Sequence, residues 1–200
     1  MDTGILGGTF DPVHHGHVAI AREAQKRLGL ERVIFVPARQ PWLKVDREIT
    51  PANHRVRMLE EVIADYPCFE ISTIEIESGM PSYTVDTLRI LQGQLGIEAN
   101  LFFLMGWDSL AELPKWKEPA RLVRMCRLVA FTRAKVELPD LEALEVAVPG
   151  ISLSAILLDM PPVDISSSDI RERVAQKLPV DHMVTDKVQK YIAEHNLYRG

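Results

Sequence analysis

The sequence contains few cysteines and no long apolar run, and these absences restrict its class. Only two cysteines, Cys68 and Cys126, occur in 200 residues. This argues against a disulfide scaffold and favours buried free thiols in a reducing compartment. No stretch approaches the ~18 uninterrupted apolar residues of a membrane span. The first residues lack a basic region followed by a long apolar one, so no secretory signal is expected. We therefore predict a cytoplasmic protein without a membrane segment.

The chain also lacks an excess of positive charge. Its net charge is −5, with 46% hydrophobic and 26% charged residues, which is ordinary for a globular enzyme. A negative balance argues against a nucleic-acid partner, although it is compatible with a local basic pocket for phosphates. A length of 200 residues suits one medium domain. We predict a single domain over residues 1–200, and a homo-oligomer remains compatible with the sequence.

Strand-like and helix-like patterns alternate along the chain. Short apolar strands such as Val33-Ile34-Phe35-Val36 indicate burial on both faces of a sheet. The repeated order of strand and helix predicts an α/β fold, a Rossmann-like doubly wound parallel sheet with helices on both faces and a small C-terminal helical part. In such sheets, ligands bind beyond the carboxyl ends of the strands. The predicted strands are 3–6, 32–36, 69–76, 101–105, 128–132 and 154–158; the predicted helices are 17–28, 51–65, 83–95, 118–125, 168–176 and 185–195.

Two helix boundaries and one irregular segment complete this prediction. Thr50 before Pro51 is typical of an N-cap with proline in the first helical turn. Gly29 follows the first helix at the position of a C-cap. The acidic, loosely patterned segment 134–149 is interpreted as a variable excursion of the domain.

A glycine pair follows the first predicted strand. Gly7-Gly8-Thr9-Phe10 leads within a few residues to a helix. Paired glycines let backbone amides approach a ligand, and a helix N-terminus adds N–H donors and a positive dipole. The segment therefore predicts a phosphate site. It is neither Gly-x-x-x-x-Gly-Lys-Ser/Thr nor GxGxxG, so the common phosphate loops are absent.

Histidines stand where those loops would have a lysine. His14 and His17 are three residues apart at the start of the predicted helix, so both can face the phosphate site and donate N–H to it. Partial protonation beside phosphate would strengthen these bonds. The spacing also allows histidines that only cap a turn, or a nucleophilic histidine. A zinc site lacks an evident third ligand. His15 is interpreted as solvated or structural.

A second candidate anion site lies near the end of the chain. Ile165-Ser166-Ser167-Ser168-Asp169-Ile170-Arg171 opens a predicted helix. It can be a serine N-cap with an acidic first turn. It can equally bind an anion through hydroxyls, free amides and Arg171 one turn inside the helix.

The segment Gly-Gly-Thr-Phe-Asp-Pro-Val-His-His-Gly-His resembles the HxGH signature of the nucleotidyltransferase superfamily, and its GGTFDP form resembles the nicotinate-nucleotide adenylyltransferase branch. The segment at 165–171 resembles the same family's ISSTxIR motif, with Ser168 in place of threonine. The likeness extends along nearly the whole chain. It implies catalytic roles for His14, His17 and Arg171. It implies ATP binding by Gly7, Gly8, Thr9, Phe10, His14, His17, Ser167, Ser168 and Arg171.

The resemblance also implies the remaining contacts. Tyr83 and Thr84 lie in a segment similar to the family's SYTIDTL, which meets the pyridine ring and its carboxylate, and Trp116 resembles the tryptophan that stacks on the ring. Gly106 and Asp108 match a nucleotide-contacting pair, although Trp107 stands where relatives have a small residue. Lys44 resembles the lysine of a PHK segment that meets the phosphates of both substrates, with Leu43 in place of histidine. Without the resemblance, the segment with Tyr83 and Thr84 would be only a capped helix start, Trp116 a core or surface tryptophan, and Lys44 a solvated lysine.

The resemblance implies adenylyl transfer from ATP to nicotinic acid mononucleotide, giving deamido-NAD and pyrophosphate in NAD biosynthesis. Mg²⁺ is the expected cofactor, bridging the phosphates while retaining most of its water, and no site of protein ligands for a resident metal is predicted. Alternatives are adenylyl transfer to phosphopantetheine or to nicotinamide mononucleotide. From another class, a nucleotide-binding module without turnover also fits. An assay of pyrophosphate release would discriminate the module from the enzymes.

Overall fold

A computed structural model describes residues 1–39, 49–79, 81–131, 140–161 and 163–199. Its centre is a sheet of six parallel strands in the order β3-β2-β1-β4-β5-β6. This is the doubly wound order, so the predicted fold class is confirmed. The winding reverses between β1 and β4, whose carboxyl ends lie side by side. The strands are β1 Asp2–Gly8, β2 Arg32–Pro37, β3 Phe69–Ile71, β4 Asn100–Gly106, β5 Arg127–Phe131 and β6 Ala155–Leu158.

Helices cover both faces of the sheet, because alternate strand residues point to opposite sides. Leu6 and Phe35 pack with α1, α2, α9 and α10, whereas Ile5 and Ile34 pack with α4, α5, α6 and α8. The last two helices thus complete the first face, which is the predicted C-terminal helical part. The helices are α1 His15–Leu28, α2 Ala52–Ile63, α3 Ile74–Glu77, α4 Thr84–Leu95, α5 Trp107–Ala111, α6 Pro119–Met125, α7 Leu141–Ala147, α8 Ile151–Ser154, α9 Ser167–Ala175 and α10 Asp186–Glu194.

Several predicted boundaries differ from those of the structure. The strand predicted at 69–76 ends at Ile71, and a helical turn, α3, occupies Ile74–Glu77. Here the alternation of isoleucine and glutamate imitates a strand. Helix α2 has Pro51 as its N-cap residue without a side-chain cap bond, so Thr50 is not the cap. The strand predicted from 154 starts at Ala155, since Ser154 ends α8.

The predictions at Gly29 and Cys126 are confirmed. Gly29 adopts a left-handed conformation with φ of 65° and caps α1. Cys126 is buried, and burial raises the pKa of its thiol to about 12, so the thiolate is suppressed. The prediction that Cys68 is buried is wrong, because this residue is only partly buried. Of the segment predicted as an excursion, residues 141–147 form α7, and 134–139 lie outside the described residues. Within the described part of the chain, no helix is long and apolar enough to cross a membrane.

Candidate active site

The first histidines organise the start of α1. His14 is the N-cap residue, and its Nδ1 accepts the N–H of Gly16 at 3.2 Å, while His17 Nδ1 accepts the N–H of His14 at 3.3 Å. The two imidazole rings lie 3.8 Å apart between centroids. The capping role considered from sequence is therefore present. Because each Nδ1 accepts, the proton of a neutral ring lies on Nε2, which makes Nε2–H the donor of each ring.

The glycine pair ends β1 beside these histidines. A Cβ on Gly8 would lie 3.1 Å from the Phe10 ring, so only glycine fits there without moving that ring. Phe10 is 1% exposed and its ring meets the edge of the His17 ring at 4.9 Å. Its side chain thus belongs to the core and supports His17. Any contact of Phe10 with a nucleotide is left to its backbone.

The start of α9 lies against the loop between β1 and α1. Ser167 Oγ donates to the carbonyl of Pro12 at 2.9 Å. Arg171 donates through Nη1 to the carbonyl of Asp11 and through Nη2 to Ser168 Oγ at 3.0 Å. The structure thus joins two motifs that are about 150 residues apart in sequence. We call this group the two-helix site; its residues are His14, His17, Ser167, Ser168 and Arg171.

A buried polar network supports the two-helix site. Asp11 is 3% exposed, and its carboxylate accepts the Tyr198 hydroxyl at 2.8 Å and the Thr50 N–H at 3.4 Å. Arg55, 1% exposed, donates to the carbonyls of Thr9 at 2.7 Å and Thr50 at 2.8 Å. Burial lowers the pKa of Arg55, and the charge of Asp11 opposes that shift. The loop between β1 and α1 is therefore held by partly buried hydrogen bonds from both Arg55 and Tyr198.

Sequence reasoning missed Asp11, Arg55 and Tyr198 as supporting residues. Arg55 carried a signal, because it shares the buried face of α2 with Met58, Leu59 and Val62. An arginine in an apolar helical stripe indicates a buried, hydrogen-bonded guanidinium. Tyr198 carried no such signal, since its partner lies 187 residues away.

The predicted pyridine residues form a second group, at the start of α4. Thr84 is the first residue of α4, and the preceding Tyr83 gives no side-chain cap. Lys117 Nζ pairs with Asp86 at 2.8 Å and lies 4.6 Å from the centre of the Tyr83 ring. The segment containing Trp116 is thereby tied to the start of α4. We call Tyr83, Thr84 and Trp116 the α4 site.

Trp116 links the α4 site to the end of β1. Its ring meets the edge of Phe103 at 5.9 Å, and the Phe103 ring is 3.5 Å from where a Cβ on Gly7 would lie. Within the described residues, the buried indole Nε1 of Trp116 has no hydrogen-bond partner. Two candidate subsites thus adjoin along the carboxyl edge of the sheet.

A cavity of about 260 Å³, lined in part by Tyr83, lies between α3 and α4. Its lining includes Glu75, Asp86, Thr87 and Lys117, and none of the two-helix residues. Glu75 accepts the Thr87 hydroxyl at 2.5 Å. This cavity borders the α4 site but is separate from the two-helix site.

The remaining predicted site residues are Gly106, Asp108 and Lys44. Gly106 precedes α5 as its N-cap residue, and Asp108 is exposed in the first turn at the carboxyl end of β4. Trp107 points into the core, 7% exposed, with Nε1 donating to the Ala130 carbonyl at 3.0 Å. The bulky residue therefore leaves the edge of the sheet unobstructed. Lys44 and Leu43 lie outside the described residues.

This architecture is that of a nucleotide-binding α/β protein, and the comparisons define its class. Residues 5–173 match the model of the cytidylyltransferase-like family. A probable nicotinate-nucleotide adenylyltransferase of Dehalococcoides mccartyi (strain CBDB1) is 48% identical over 198 residues, covering 99% of this chain and 97% of the relative. One from Roseiflexus sp. (strain RS-1) is 45% identical over 196 residues, covering 98% and 97%. The chain belongs to the cytidylyltransferase-like family and, within it, to the nicotinate-nucleotide adenylyltransferases.

Solved structures agree on the fold. Plasmodium falciparum nicotinic acid mononucleotide adenylyltransferase complexed with NaAD is similar with a TM-score of 0.80 and 21% identity, covering 98% of this chain and 97% of that chain. A Vibrio parahaemolyticus protein described as a putative nicotinate-nucleotide adenylyltransferase has a TM-score of 0.71 and 16% identity, covering 99% and 95%. Such distant likeness concerns the fold alone.

Proposed function

We propose that this chain transfers the AMP unit of ATP to the 5′-phosphate of nicotinic acid mononucleotide, releasing pyrophosphate. The observation that carries the proposal is the contact between two helix N-termini, where Arg171 and Ser167 of α9 bond to the loop that precedes α1. Each helix start offers N–H donors and a positive dipole end to an anion. A polyphosphate is a ligand that can use both together.

The reaction needs alignment more than acid–base chemistry. A phosphate monoester has a second pKa of about 6, so the attacking phosphate is already largely a dianion at neutral pH. It attacks the α-phosphorus, the bond to the leaving pyrophosphate breaks, and charge accumulates on the pyrophosphate oxygens. Donors fixed in place before the reaction stabilise that charge without reorganising.

The residues of the two-helix site supply such donors. His14 and His17 present Nε2–H groups on rings held by their capping bonds. Arg171 adds a guanidinium whose orientation is set by Asp11 and Ser168. We assign all three to the triphosphate and the developing pyrophosphate. Asp108, Gly106 and Lys44 keep their predicted roles in nucleotide contact.

The α4 site is assigned to the pyridine ring. The first turn of α4 has no side-chain cap, and the Asp86 N–H donates to the Tyr83 carbonyl. The N–H groups of Thr84 and Val85 are therefore the donors proposed for the nicotinate carboxylate. Trp116 offers a ring face for stacking. Its connection to Gly7 through Phe103 supports a mononucleotide that spans both subsites with its phosphate near ATP.

Mg²⁺ is proposed to enter with ATP. The described residues hold no group of three or more metal-ligating side chains, and the buried carboxylate of Asp11 is occupied by Tyr198 and Thr50. Phosphate oxygens and water therefore fit as its main ligands. When bound, the ion neutralises charge on the phosphates. We also propose a cytoplasmic location, consistent with free Cys68 and Cys126.

The proposal is tested by incubating the protein with Mg²⁺, ATP and one acceptor at a time. The acceptors are nicotinic acid mononucleotide, nicotinamide mononucleotide and phosphopantetheine. We expect pyrophosphate and deamido-NAD in equal amounts with the first. Nucleotide binding without pyrophosphate release would instead identify a binding module, and preferred turnover of phosphopantetheine would identify a different transferase.

A further inference from the structure

The last residues of the chain reach back to the two-helix site. Tyr198 donates its hydroxyl to Asp11 Oδ1 at 2.8 Å. Burial, and then the charge of Asp11, raise the pKa of Tyr198 above its usual range, so the phenol remains a proton donor. Removing this hydroxyl would leave a carboxylate that is 3% exposed without one of its donors.

Asp11 in turn holds Arg171. Nη1 of Arg171 donates to the Asp11 backbone carbonyl and lies 3.9 Å from Asp11 Oδ2. The Arg171 side chain is 15% exposed, so most of its surface is covered by these neighbours. A guanidinium has five N–H donors in a rigid plane, and fixing one edge determines where the others point.

We propose that Tyr198 is a positioning residue, which holds Asp11 so that Arg171 presents its remaining N–H donors to the triphosphate. The inference deepens the proposed function and rests on its assignment of Arg171. The phenol touches no reacting atom; it acts through a chain of two contacts. Tyr198 contributes by keeping a charged donor in a fixed orientation. Such a donor stabilises an anion more strongly the less it must rearrange.

The test is a double-mutant cycle with Tyr198→Phe and Arg171→Met. Tyr198→Phe keeps the ring and removes the hydroxyl. We expect it to lower kcat/KM for ATP about 10-fold, as for a lost hydrogen bond to a charged group, while KM for the mononucleotide changes less than about 2-fold. In the Arg171→Met background the same change should lower kcat/KM by less than about 2-fold, because the residue through which Tyr198 acts is gone.

Tyr191→Phe is the matched control. Tyr191 lies in α10, and its hydroxyl is 3.0 Å from His54 Nδ1, away from the two-helix site. This variant should keep the kinetic constants of the unmodified protein even if its Tm falls. The rise in Tm on saturating MgATP gives a second readout that needs no turnover. It should be smaller in Tyr198→Phe and unchanged in Tyr191→Phe.

Three results would overturn the inference: normal ATP constants in Tyr198→Phe, an equal loss in both backgrounds, or an equal loss in Tyr191→Phe. Failure of the Arg171 assignment, or of the proposed reaction, would give different results. If Arg171→Met binds and uses ATP normally, the role of Arg171 itself is wrong. If the unmodified protein makes no dinucleotide, the proposed reaction is wrong.

Discussion

The imidazole rings of His14 and His17 lie 3.8 Å apart between centroids, tilted by 33°, and each ring accepts a backbone N–H through Nδ1. The bonds close the first turn of α1 and also fix both ring orientations. The same hydrogen bonds therefore serve both the capping of α1 and the proposed donor role of these histidines. A ring held by one nitrogen presents the other in a defined direction, which is what a preorganised donor requires.

His17→Ala should lower kcat by about 10²–10³, a loss of ~2.7–4 kcal/mol as for a removed oxyanion donor. KM for ATP should change less, since the backbone donors of the helix start remain. Pyrophosphate release measures both constants. The control is His15→Ala, which changes a histidine two residues earlier in the chain and outside the two-helix site. Turnover near normal in His17→Ala would remove His17 from the mechanism.

The buried guanidinium of Arg55 is expected to stabilise the fold. Arg55→Met should lower the free energy of unfolding by ~2–5 kcal/mol, because the carbonyls of Thr9 and Thr50 lose their partner. Urea denaturation measures the change. The control is Arg57→Met on the same helix. Arg57 is exposed and pairs with Glu60 and Glu61, so the loss of unfolding free energy there should be much smaller than in Arg55→Met. Similar losses in both variants would contradict the buried role.

Much of the fold could be predicted because the central strands are short apolar runs buried on both faces. β1, β2, β4 and β5 lie where the runs indicated. The strand predicted at 69–76 is wrong beyond Ile71, and the reason lies in the tertiary structure. Within α3, Glu75 turns toward the hydroxyl of Thr87 on α4, a contact that the local alternation of isoleucine and glutamate does not reveal.

The candidate site likewise has parts that the sequence predicts and parts that it does not. The glycine pair, the histidines and Arg171 are local motifs, and the structure brings them together. The bonds from Tyr198 to Asp11 and from Arg55 to Thr9 join distant segments with no shared pattern. Such contacts follow from the packing of α2 and of the final residues against the sheet, which only the tertiary structure supplies.

A Trp107→Phe variant tests whether the bulky residue after Gly106 belongs to the core. Trp107→Phe should cost ~0.5–1.5 kcal/mol of unfolding free energy, because the Ala130 carbonyl loses its donor at 3.0 Å. Kinetic constants for both substrates should stay unchanged. Calorimetry or urea denaturation, combined with the turnover assay, checks both parts. A rise in KM for ATP at unchanged stability would place the indole in the nucleotide site instead.

The choice between acid and amide bears on the central claim, the identity of the acceptor. Nicotinate presents a carboxylate, whereas nicotinamide presents an N–H₂ donor at the same place. The start of α4 at Thr84 has no side-chain cap, and the N–H donors proposed there for the nicotinate carboxylate would face the N–H₂ donor of the amide. Unpaired buried donors cost ~1–3 kcal/mol each, so one or two give discrimination on the order of 10- to 1,000-fold.

The decisive measurement is therefore the ratio of kcat/KM for nicotinic acid mononucleotide to that for nicotinamide mononucleotide, at fixed saturating MgATP. We predict a ratio of about 10 to 1,000 in favour of the acid. Trp116→Ala should weaken both substrates alike and leave the ratio unchanged, because stacking does not distinguish the two rings. A ratio near one would contradict the donor-pocket account and identify an adenylyltransferase of dual specificity.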